Sequence, residues 1–110
     1  MSDNKTEIWK NIPPQQLAVA LIDITSVKDM QNFLRDVMTE KEIAEISSRL
    51  EAARMLKEGI KYSDIVAKTK LSSRTVARIS DWMQNGCGGY AKVLNKVSIH
   101  HSHIPPASAV

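Results

Sequence analysis

The sequence predicts an all-α chain of about six helices, and three observations carry that expectation. Apolar residues recur three and four apart through most of the 110 residues, and no stretch alternates apolar with polar as a half-buried strand does. Helix-start and helix-stop residues punctuate that pattern. The composition agrees: 43% apolar, 25% charged and only 5% aromatic, which suits a packed core of Leu, Ile, Val, Met and Ala. A chain this long makes one compact domain, or a small domain that completes its core by pairing with a second copy.

Residues 1–13 form a polar N-terminal arm that contains Trp9 and ends at Pro13 and Pro14. Pro14 presets the first turn of a helix running to Ile24. Its Leu17, Ala18, Val19, Ala20, Leu21, Ile22 and Ile24 cover nearly every side. A helix apolar all round must be buried on most sides. Either a second copy of the chain or a full wrapping by the chain itself would bury it.

Ser26 followed by Asp29 marks the start of a second helix, on which Val27, Met30, Phe33, Leu34 and Val37 share a face. Thr39 and Glu42 form the T-x-x-E capping box of a third. There Ile43, Ile46, Leu50, Ala53 and Leu56 line one side, and Gly59 supplies the left-handed residue that ends it. At about 20 residues, roughly 30 Å, this helix is the longest expected.

The stretch 61–82, KYSDIVAKTKLSSRTVARISDW, divides into two short helices. Ile65 and Val66 lie on the inward face of the first. Val76 and Ile79 lie on that of the second, which starts at Ser72. Thr69, Lys70 and Leu71 make a turn short enough to hold the helices at a steep angle, with Leu71 packed beneath. A left-handed Lys70 would cost about 1 kcal/mol. Beyond lie the flexible turn Asn85 to Gly89 and a short final helix with Tyr90, Val93, Leu94 and Val97. The helical domain thus spans 14–97.

The tail, 98–110, carries His100, His101 and His103 and is expected to be disordered, with only adventitious metal binding. No cofactor or metal site is expected elsewhere. The single cysteine, Cys87, can form neither an internal disulfide nor a cysteine zinc site, which fits a cytoplasmic location. No apolar run approaches the roughly 18 residues of a membrane span, and no secretory leader is visible. Paired carboxylates, a phosphate-binding loop and a Ser/His/Asp set are all missing, so catalysis is not expected.

Charge separates the two-helix stretch from the rest. Residues 1–37 and 38–60 each hold four basic and five acidic side chains. Residues 61–81 hold Lys61, Lys68, Lys70, Arg74 and Arg78 against Asp64 and Asp81, so five minus two leaves +3. The outer side of the second helix presents Ser73, Arg74, Ala77, Arg78 and Asp81. Small residues near its start allow close approach to base edges, and arginines contact guanine or phosphate with two hydrogen bonds. Ser72 is a good N-cap, and Lys61, Ser63, Lys68 and Lys70 are placed for a DNA backbone. Two readings stay open: a sequence-specific DNA-binding regulator, or a helical homodimer that uses this face for a protein partner.

Residues 38–94 resemble the Trp repressor family, in particular its YerC/YecD branch. The resemblance rests on Met38-Thr39-x-x-Glu42, Arg49-Leu50, Lys57-Glu58-Gly59, Tyr62-Ser63-Asp64-Ile65, Thr75-Val76-Ala77-Arg78, Gly88-Gly89-Tyr90 and Val93-Leu94. It implies an intertwined, all-helical homodimer with a helix-turn-helix that reads operator DNA. It also implies a corepressor pocket between Arg49 and Arg78. Ile79 stands where that family has a small glycine and Trp82 where it has a serine. The added volume is expected to fill the space for an indole, so tryptophan is not expected to bind. The turn position often held by glycine is Lys70, and Val66, beside Ala67, replaces a usually small residue.

Overall fold

A computed structural model of the chain describes the backbone of residues 4–100 and the side chains of residues 5–96. The histidine side chains of the tail, His100, His101 and His103, lie outside the described residues. Every regular element described is helical. A 3-10 helix, Asn4–Lys10, precedes α1 (Ile12–Asp23), α2 (Val27–Val37), α3 (Glu40–Lys57), α4 (Tyr62–Thr69), α5 (Ser73–Asn85) and α6 (Gly89–His100). The chain divides within α3 into two units, residues 1–44 and 45–110.

In the first unit the 3-10 helix packs along α1, and the Gln15 amide donates to the Trp9 carbonyl at 2.7 Å. Prolines in the first turn of α1 need no amide partner there and fix the backbone for helix. The Ser26 hydroxyl caps α2 by accepting from the Asp29 amide at 3.0 Å. Both bonds of the capping box are made at the start of α3: the Glu42 amide donates to Thr39 Oγ1 at 3.1 Å, and the Thr39 amide to Glu42 Oε1 at 2.9 Å. Met30, Phe33 and Leu34 are half-buried, but neither α1 nor α2 contains a buried residue.

The second unit holds the buried core. Ala52, Ala53 and Met55 from α3 meet Ile65 from α4, Val76 and Ile79 from α5, and Leu94 from α6. α4 packs on α5, and α5 on α6. The bend out of α3 follows from Gly59, whose φ of +81° suits a residue without a Cβ. Its amide donates to the Leu56 carbonyl and the Ile60 amide to the Met55 carbonyl, the two-bond closure that satisfies the last carbonyls of a helix. Lys57 Nζ reaches from α3 to Asn95 Oδ1 on α6 at 3.0 Å.

Candidate nucleic-acid interface

The joint between α4 and α5 is built one residue later than the spacing predicts. Thr69 is the last residue of α4 and is buried, while Lys70, Leu71 and Ser72 form the turn. Thr69 Oγ1 donates to the Ile65 carbonyl at 2.7 Å and accepts from the Leu71 amide at 3.3 Å, so one hydroxyl ties the end of α4 to the turn. Lys70 is left-handed, with φ 65° and ψ 10°, and its amide donates to the Val66 carbonyl. Among the described residues it is the one non-glycine at positive φ. Leu71 is half-buried against the core below.

Ser72 is the N-cap of α5, as the sequence predicts, and the helix runs from Ser73. The Ser72 hydroxyl oxygen accepts from the Thr75 amide at 3.1 Å and lies 3.0 Å from the Thr75 hydroxyl. The cap occupies that side chain and leaves it less able to meet a ligand than its exposure suggests. The helix ends at Gly86, where a Cβ would lie 2.5 Å from the Trp82 carbonyl oxygen. Between these ends Val76 and Ile79 are buried and Ser73, Arg74, Ala77, Arg78 and Asp81 are exposed, as the spacing predicts. Lys61, at the N-cap of α4, and Ser63, in its first turn, are exposed as well.

Three of the cations behave differently from one another. Arg74 makes no ion pair, hydrogen bond or ring contact among the described residues. The Arg78 guanidinium sits over the Trp82 ring, 5.9 Å from its centroid, an attraction worth about 0.5 to 1 kcal/mol at an exposed site. Lys68 lies 3.8 Å from Glu51 on α3. Glu51 itself is gripped by Arg54, whose Nε and Nη2 donate to its two carboxylate oxygens at 2.9 and 2.6 Å. That pair of hydrogen bonds holds the Glu51 carboxyl below its ordinary range and raises the Arg54 guanidinium further above its own. Glu51 and Arg54 were not expected at this surface. Their spacing shows the pairing with each other, but the bond to Lys68 is tertiary and leaves no trace in the sequence.

The second set of expected residues is Arg49, Arg78, Ile79 and Trp82. Ile79 is fully buried in the core, and Trp82 is half-buried with Arg78 across its ring. Arg49 is exposed on α3 and acts on Tyr90: burial pushes the Tyr90 hydroxyl upward, and the Arg49 charge pulls it back. Tyr90 is half-buried and packs against the core, whereas Tyr62 is 43% exposed. No cluster of metal-ligating side chains occurs among the described residues, and Cys87 is exposed. No described helix is long and apolar enough to cross a membrane.

Among the described residues every regular element is helical, and the paired short helices α4 and α5 turn a basic side outward. Comparison with known proteins gives the family. Residues 14–98 match the Trp repressor protein family. The uncharacterized protein YerC of Bacillus subtilis (strain 168) is 32% identical over 82 residues, covering 74% of this chain and 79% of YerC. A TrpR-like protein from Eubacterium eligens superposes with a TM-score of 0.77 at 32% identity, covering 87% of this chain and 96% of its own. A Trp repressor-like protein from Staphylococcus aureus gives 0.78 at 26% identity, with 86% and 95% covered. The chain belongs to the Trp repressor family, which is a family of regulators and not of enzymes.

Proposed function

We propose that this protein is a homodimeric, sequence-specific DNA-binding regulator of transcription, acting as a repressor in the cytoplasm without catalytic activity. The observation that carries the proposal is the two-sided build of α5. Val76 and Ile79 anchor one side in the core, and Ser73, Arg74, Ala77 and Arg78 stand exposed on the other. A helix held this way by a short turn can be lowered into a major groove without giving up its own packing. Lys61, Ser63 and Lys70 supply groups for the phosphates beside it, while Lys68 shares its charge with Glu51. The dimer is supported by α1, whose Leu17, Val19 and Ile22 face solvent in the single chain.

The regulator works without L-tryptophan. Ile79 takes up core volume, and Trp82 places an indole of the chain's own beside Arg78, at the positions matched to the family pocket. Selection of a common palindromic sequence from random DNA is the decisive test. Half-sites about 34 Å apart and a steep fall of affinity with salt are expected. Binding that ignores both sequence and salt would move the outer face of α5 to a protein partner. Calorimetry with L-tryptophan is expected to show no saturable heat, and a tryptophan-dependent gel shift would overturn that part.

A further inference from the structure

Resting on the DNA-binding reading above, we infer that the two arginines of α5 divide the work: Arg74 reads a guanine in each half-site, and Arg78, held by Trp82, contributes charge without base selectivity. At about 100° per residue, Val76 and Ile79 set the buried direction of α5, and Arg74 lies about 170° from it, directly opposite the core. It occupies the second position of the helix, close to the end that the turn and the Ser72 cap present. Its guanidinium has no partner among the described residues, so no internal bond must break before it meets a base edge.

Arg78 differs on each count. It is one turn further along, about 130° from the buried direction, and its guanidinium is over the Trp82 ring. The ring contact leaves the edges of the guanidinium available to a phosphate, whereas turning to match a base gives the contact up, a cost that Arg74 does not bear. Charge along the exposed side gives the helix a direction: Arg74 and Arg78 come first, then Asp81, which is also tied to Asn85 at 2.9 Å. An acid at that end repels phosphates, so the N-terminal end of α5 enters the groove and the C-terminal end stays out. At the entering end an unpaired arginine finds its best two-bond partner in the O6 and N7 acceptors of guanine.

The test is selection from random duplex DNA with the full chain, the Arg74→Ala variant and the Arg78→Ala variant, followed by titration of the selected site against salt. The full chain is expected to select a guanine at one fixed position in each half-site. Arg74→Ala is expected to lose that guanine alone and to bind the selected site on the order of ten- to a hundred-fold more weakly. Arg78→Ala is expected to keep the selected sequence, to weaken all duplexes alike, and to reduce the salt slope by about one. Circular dichroism checks folding, which an exposed, unpartnered Arg74 leaves unchanged. Retention of the guanine by Arg74→Ala, or its loss in Arg78→Ala, overturns the division of labour while DNA binding stands. Failure of the full chain to select any sequence overturns both.

Discussion

The two units of this chain spend similar residues to different ends. α1 carries leucine, valine, isoleucine and alanine on nearly every side, yet none of its residues is buried and Ile22 is 81% exposed. The helices of residues 45–110 are more polar along much of their length, yet they enclose Ile65, Val76 and Ile79 completely. Apolar periodicity shows which side of a helix seeks cover. It does not show whether the cover comes from the same chain.

The strongest way to break the second unit is Ile79→Ala, which opens a cavity at the point where α3, α4, α5 and α6 meet. A loss of about 2 to 5 kcal/mol is expected, read as a lower urea midpoint at unchanged slope. Ile22→Ser sharpens the comparison from the other side. In a lone chain it would change stability by less than about 0.5 kcal/mol. With a second copy covering α1, about 1.5 to 3 kcal/mol of burial is lost, and sedimentation is expected to show a shift from dimer to monomer at matched concentration.

Smaller effects test the joint itself. Ser72→Ala removes the bond to the Thr75 amide and is expected to cost about 1 kcal/mol, read by thermal unfolding. Acid gives the smallest change. Because Arg54 holds the Glu51 carboxyl low, the contribution of Glu51 to stability is complete above the ordinary carboxylate range and is lost as pH falls through the lowered value. Glu51 is a third exposed, so a few tenths of a kcal/mol is expected. A denaturation series from neutral to acidic pH should show wild type losing more than Glu51→Gln.

The helical class, the capping box at Thr39 and Glu42, the stop at Gly59 and the inward positions of α5 were all legible, because each depends on residues within one or two turns of one another. The left-handed turn was legible at Lys70 only as a conditional strain, and its backbone angles now make that strain real. Other features lay beyond sequence reasoning for a common reason. The ion pair of Glu51 with Lys68 joins residues of different helices, and the end of α4 depended on Thr69 turning its hydroxyl inward. The burial of Thr69 decided it, since that hydroxyl satisfies both α4 and the turn.

The contact of Arg78 with Trp82 also offers the protein its own optical reporter. The chain has two tryptophans, Trp9 and Trp82. Trp9→Phe leaves a single indole, with the Arg78 charge 5.9 Å from its centroid, so its emission is expected to respond to that cation. On the DNA-binding reading, a phosphate at the edge of the guanidinium offsets part of its field at that ring, and a shift of the emission maximum is expected. Occupancy of the basic side of α5 can then be followed by fluorescence, without a dye and with the arginines intact.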